Sequence, residues 1–258
     1  MVLSMARKKR PIQQLPVVPQ VDQDLADLML RDIRKRLQGA GKKAQADQLR
    51  QAYGNDLLCY GVKLLEVHNI GMDFIRRLRS PGYSLSVAIA EELYMSRNLE
   101  EGLIGAQIMG AMARHISGSD FDRFEIWAGS LSNPQTAEAL AAHCLSRAMA
   151  GKPSIALKLV EWAKSEVPWR RVAAVSAFSP LVRDGRFMTD ALAVAEELMT
   201  DESGDVQKAV GNMLMEMTRL KSDRVVQFLG PWSGRAQRSI VQIAATKLMG
   251  ADRKAVLG

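Results

Sequence analysis

The sequence predicts an all-α fold built from paired helices, and three observations carry that prediction. Of 258 residues, 47% are hydrophobic but only 5% are aromatic, with 14 Met and a mean hydropathy of -0.09. That composition suits helices packed through small, flexible side chains rather than a β-sandwich or barrel, which draws on β-branched and aromatic residues. Apolar residues recur at steps of three and four, and no segment sustains the period-two alternation of a half-buried strand. Breakers fall at helix-length intervals: Gly118, Pro134, Gly151–Pro153, Pro168, Asp184–Gly185, Ser203–Gly204, Gly230–Pro231 and Gly234.

Taken in order, residues 1–20 form a basic arm, with Arg7, Lys8, Lys9 and Arg10 followed by Pro11, Pro16 and Pro19. The prolines bar a helix interior, so this stretch is expected to be flexible, either a solvated tail or a phosphate-seeking arm. A single domain is expected over 21–250, with 251–258 as a short tail. Its first helix starts near residue 22, where Leu25, Leu28, Met29 and Ile33 share a face. Helices over 84–96 and 99–113 follow, the second with a stripe of Leu103, Ile104, Ile108, Met109 and Met112, and Gly102, Gly105 and Gly110 permitting close approach. Further helices read at 119–131, 135–150, 153–164, 169–183, 187–199, 205–219, 222–230 and 235–249.

The C-terminal helices carry a weak repeat. Segments 162–178, 198–214 and 228–244 each show an apolar helix end, a short turn, and then a basic residue followed by small and β-branched residues. The basic residues are Arg171, Lys208 and Arg238. Helical pairs of this size stack into a right-handed α-solenoid of HEAT-like repeats, because one pair cannot bury its apolar face alone. The three cations then recur along one face at helix N-termini, where the dipole also favours phosphate. The alternative is that they are ordinary solvated helix positions.

Charge is unevenly placed. Residues 1–50 carry 11 Lys/Arg against 5 Asp, residues 51–150 carry 8 against 11 acids, and the remainder 16 against 12, within a total of +7. Cys59 and Cys144 lie far apart, and the three histidines His68, His115 and His143 form no metal-ligand spacing, so neither a disulfide framework nor a metal or other cofactor is expected. No apolar run is long enough to span a membrane, and the basic N-terminus lacks an apolar h-region. A reduced cytoplasmic setting is expected, at the nucleoid if the chain binds DNA. The acid pairs Glu91–Glu92, Glu100–Glu101 and Glu196–Glu197 read as solvated helix charges. No P-loop, dinucleotide-binding or zinc-protease motif occurs.

Four segments, EELYMSRNLEEGLIGAQIM (91–109), FEIWAGSLSNPQTAEAL (124–140), VPWRRVAAVSAF (167–178) and DVQKAVGNMLMEM (205–217), resemble the DNA alkylation repair family of HEAT-like-repeat glycosylases. The similarity runs over about 50–250. Its best-matching signatures are Trp169-Arg170-Arg171 and the run from Gln207 to Gly211. The resemblance implies a basic concave face that holds double-stranded or branched DNA. It also implies removal of N3- and N7-alkylpurines, with a carboxylate and two tryptophans against the deoxyribose and an arginine on a phosphate. The family's arginine corresponds to Arg171 and its carboxylate to Glu138. Its two tryptophans correspond to Pro134 and Asn212, so both aromatics are lost.

Glu138 is therefore the candidate catalytic residue, and Arg170, Arg171, Lys208, Asn212 and Arg238 are candidate DNA contacts. Trp127, Trp169 or Trp232 could supply an aromatic wall from elsewhere, with core packing the alternative, above all for the first two. A monomer is expected. The other functional reading is a protein-interaction scaffold that uses the solenoid groove, helped by adaptable Met side chains.

Overall fold

The structure is a computed structural model and describes residues 21–78 and 82–257. The basic arm at 1–20 lies outside the described residues. Among those described, every regular element is helical, apart from one isolated bridge between Leu58 and Asn98.

The N-terminal helices are α1 (Gln23–Ala40), α2 (Lys43–Tyr53), α3 (Leu64–Arg77), α4 (Gly82–Met95) and α5 (Leu99–Ala111). Asp22 caps α1 by accepting from the Leu25 amide, and Asn98 caps α5 by accepting from the Glu100 and Glu101 amides. Met29 and Ile33 face the core as expected, but Leu28 points to solvent. Next come α6 (Phe121–Ala128), α7 (Pro134–Leu140), a π-helical turn (Ala141–Leu145) and α8 (Ser146–Gly151). Helices α9 (Ile155–Trp162), α10 (Pro168–Ser176), α11 (Ser179–Arg183) and α12 (Met188–Leu198) follow. The chain ends with α13 (Gly204–Leu229), α14 (Arg238–Ala244) and α15 (Gly250–Leu257). Lys221 is non-helical, so α13 is two helices joined at a kink, at the point where the sequence separates 205–219 from 222–230. The stretch 251–258 falls largely within α15.

Pro134 and Pro168 each sit in the first turn of their helix, where a missing amide hydrogen costs nothing. Packing runs in series: α3 on α5, α5 on α7, α7 on α10, α10 on α13 and α13 on α14. Helices α4, α9 and α12 lie against members of this row. The core divides into an N-terminal cluster around Ile33, Phe74, Leu93 and Ile104 and a larger one around Trp127, Phe178, Met213 and Leu214. Trp127 stacks on Tyr94 with ring centroids 5.0 Å apart, so it is a core residue.

Two acid pairs differ from the expectation of solvated charge. Glu100 and Glu101 are buried, and Glu91 pairs with Arg123 at 3.2 Å with both side chains largely covered. Glu196 and Glu197 are exposed. The Glu100 carboxylate accepts from three consecutive backbone amides, Tyr60 at 3.0 Å, Gly61 at 2.8 Å and Val62 at 3.0 Å. Glu101 accepts from the Tyr60 hydroxyl at 2.6 Å and pairs with Arg34 at 3.1 Å. Burial and that hydrogen bond push the Tyr60 phenol well above its ordinary pKa. Helix-surface spacing looks the same whether an acid meets water or a loop from another part of the chain.

The pinned loop joins α2 to α3. Gly61 has φ +77°, and a side chain there would run into the backbone of Lys42 and Ala46, so glycine is required on both counts.

Candidate functional site

Glu138 and Lys208 line one cleft of about 470 Å³, together with Tyr53, Leu64, Leu103, Pro134, Gln135, Ala139 and Asp205. Each wall has a local cause. Buried Asn133 caps α7 by accepting from the Thr136 amide at 2.9 Å, and Pro134 starts the helix, which places Glu138 one turn inside the cleft. Gly102 meets the Thr136 side chain, so α5 sits close against α7 and brings Leu103 to the wall. Asp205 stands in the first turn of α13, with Lys208 three residues on. Tyr53 ends α2 and Leu64 begins α3, so the loop held by Glu100 sets both; the Gln135 amide also donates to the Tyr53 hydroxyl at 3.4 Å.

Electrostatically, the cleft holds two half-buried carboxylates, Glu138 and Asp205, beside Lys208. Burial pushes the Glu138 carboxyl above its ordinary pKa; the Lys208 charge lowers it and the Asp205 charge raises it. Among the described residues, no group bonds or ion-pairs with Glu138 within contact distance. A carboxylate in such a setting is free to face a positively charged ligand.

The other expected contacts are distributed differently. Helices α10, α13 and α14 do place Arg171, Lys208 and Arg238 on neighbouring elements. Polar bonds join their leading turns: Gln207 donates to the Asp201 carbonyl, and Ser239 bonds Gln207. Arg171, however, is already committed. It clamps Asp201 in bidentate fashion, at 2.6 and 3.1 Å, and donates to the Ser165 carbonyl at 2.8 Å. Its guanidinium therefore holds the turn before α13 instead of standing free for a phosphate. Arg170 pairs with Glu125 at 2.7 Å and lies 4.4 Å from the Trp162 ring centroid, in a different cleft. Arg238 lines a third cleft with Trp232. Asn212 is half-buried one turn beyond Lys208.

None of Trp127, Trp169 and Trp232 lines the Glu138 cleft; its aromatic is Tyr53. Sequence reasoning missed Tyr53, Leu64 and Asp205. Asp205 carried a readable signal, its i,i+3 relation to Lys208, whereas Tyr53 arrives from α2, outside the repeated segments. His143 sits half-buried in the π-helical turn against Gly110, and burial together with Arg147 lowers its imidazole pKa. Cys144 is buried and Cys59 partly so, both as free thiols. Among the described residues, no three His, Cys, Asp or Glu side chains group as metal ligands, and no helix is long and apolar enough to cross a membrane.

Comparison with known proteins agrees with this architecture. A solved structure of a predicted DNA alkylation repair enzyme from Enterococcus faecalis superposes with a TM-score of 0.68 at 12% identity, covering 82% of this chain and 98% of that one. At that identity the likeness concerns the fold. No curated protein matches the chain. The profile of the DNA alkylation repair enzyme family matches residues 33–248, most of the chain, and on that match the chain belongs to the DNA alkylation repair enzyme family.

Proposed function

We propose that this chain is a right-handed solenoid of HEAT-like helical pairs that binds alkylated duplex DNA and releases cationic N3- or N7-alkylpurines slowly, with Glu138 facing the sugar and Lys208 a phosphate. The serial packing from α3 to α14 supports the solenoid. The observation that carries the site is that Glu138 and Lys208, taken from separate sequence segments, line one cleft.

The chemistry suits a carboxylate without a general acid beside it. An N-alkylated purine is already cationic, so it departs as a neutral base when its bond to the sugar breaks, and no general acid is needed. The bonding electrons leave with the base, and the positive charge passes to the sugar. Glu138 stabilises that charge, water adds to the sugar carbon, and the water's proton goes to solvent or to the carboxylate.

Pro134 and Asn212 offer no aromatic face to the sugar. At about 0.5–2 kcal/mol for each ring, the loss of two costs roughly five- to a thousandfold in rate. Tyr53, which also lines the cleft, is the aromatic that remains.

Two measurements test this: duplex affinity at low and moderate salt, and release of 7-methylguanine or 3-methyladenine from methylated DNA. Affinity should fall steeply with salt, Lys208→Ala should weaken binding to all sequences alike, and Glu138→Gln should abolish release while binding persists. Duplex binding without release overturns the chemistry, and absence of binding overturns the whole reading.

A further inference from the structure

The cleft that Arg238 lines, of about 750 Å³, lies near the C-terminus among the turn after α13, α14 and α15. Its volume is in the ~300–1,000 Å³ range of small-ligand sites. Its charge differs from that of its neighbours. The Glu138 cleft holds two carboxylates beside its lysine, and the Arg170 cleft holds Glu125 and Glu161. The C-terminal cleft is lined by Arg238 and Arg253 and by no acid.

Those two guanidiniums also differ from many of the described arginines. Arg34, Arg36, Arg77, Arg171, Arg183 and Arg219 are each bound to a carboxylate. Among the described residues, neither Arg238 nor Arg253 has a side-chain hydrogen bond or ion pair, and both are exposed. Two unmatched positive charges at one concavity favour an anion, and guanidinium groups suit phosphate through paired, planar donors.

The rest of the lining restricts what else the anion carries. Half-buried Trp232 contributes an aromatic ring, and the Arg235 guanidinium lies 5.0 Å from its centroid. Leu229, Val241 and Val256 add apolar wall, and Gln242 and Ser233 offer hydrogen-bonding groups. Basic groups interleaved with an aromatic suit a phosphate attached to a flat, stackable base, as in unpaired nucleic acid. A duplex offers its phosphates but keeps its bases stacked inside.

We propose that this cleft binds an unpaired nucleotide, its base against Trp232 and its phosphate held by Arg238 and Arg253. This goes beyond the reading of the Glu138 cleft and shares no residue with it.

The test is tryptophan fluorescence of the full chain, with Trp232→Phe as reference, titrated with oligothymidylate, a mononucleotide and polyglutamate. Oligothymidylate should quench a signal that Trp232→Phe lacks. The Arg238→Ala/Arg253→Ala double variant should bind at least about tenfold more weakly, as expected for lost charge-assisted bonds. Quenching by the mononucleotide as well assigns a free nucleotide as a sufficient ligand; quenching by oligothymidylate alone assigns a strand. The proposal is overturned by absent quenching, by unchanged affinity in the double variant, or by polyglutamate quenching as strongly as the oligonucleotide. Glu138→Gln, outside this cleft, should lose base release from methylated duplex and keep the oligothymidylate quenching, so the two clefts succeed or fail separately.

Discussion

Replacing Glu100 by Gln tests whether one buried carboxylate organises the N-terminal wall of the candidate site. Glu100 is fully buried, and its two oxygens accept three backbone amides, Gly61 and Val62 on one and Tyr60 on the other. Glutamine keeps the shape but has one acceptor oxygen. Two bonds become neutral, and the third position sets an NH2 group against the Tyr60 amide hydrogen. A bond to a charged acceptor contributes about 1.5–3 kcal/mol and a neutral one about 1, so exchanging three of the first for two of the second loses about 2.5–7 kcal/mol. For a chain of this size that lowers Tm by at least about 5 °C. The loss is local in origin, so amide hydrogen exchange at Tyr60, Gly61 and Val62 should accelerate before that of the C-terminal core. Because the loop sets Tyr53 and Leu64, duplex affinity and base release should fall as well. The reasoning is refuted if Glu100→Gln melts within about a degree of the parent with unchanged exchange across 60–62.

Two further outcomes follow from the ion pairs. Arg171→Ala should cost about 2–3 kcal/mol by calorimetry, because it strands the largely buried Asp201, yet leave the salt dependence of duplex binding as it is; Lys208→Ala should reduce that slope by about one with little effect on Tm. A slope change in Arg171→Ala without loss of stability would make it a phosphate contact after all. Glu216 is buried among Arg183, Arg219 and Lys247. Burial alone would raise its carboxyl, but the Lys247 hydrogen bond and the three cations hold it below its ordinary value. A depressed carboxylate stabilises the fold above its unfolded pKa and loses that contribution as pH falls through the folded one. The cations are one-third to just over one-half exposed, which limits the effect to about 1–2 kcal/mol. The Tm gap between parent and Glu216→Gln should therefore be widest near neutrality and close below about pH 4. A gap that persists unchanged into acid would refute it.

What could be read from the chain alone divides by the distance to the physical cause. Helix starts at Asn98, Asn133, Pro134 and Pro168 are decided by side chains within a turn, and the breakers put them close to where they form. The kink at Lys221 falls in the narrow gap between the two expected helices for the same reason. The pairing of Glu138 with Lys208 was half legible, because their segments carried the resemblance, although only stacking α7, α10 and α13 makes them walls of one cleft. The ion pair of Arg171 was not legible because its partner, Asp201, sits across a turn from another helix. Glu100 and Glu101 failed for a related reason: at helix spacing a buried acid and a solvated one have the same pattern, and their partners Tyr60 and Arg34 lie on other elements. The hidden residues thus belong to one device. Glu100 and Glu101 fix the loop, the loop fixes Tyr53 and Leu64, and these line the cleft with Glu138. With Pro134 and Asn212 at the two positions that the resemblance gives to tryptophan, the aromatic left to the proposed site, Tyr53, comes from this N-terminal support. On the proposed reading, the cleft's competence therefore depends on two acids that do not line it.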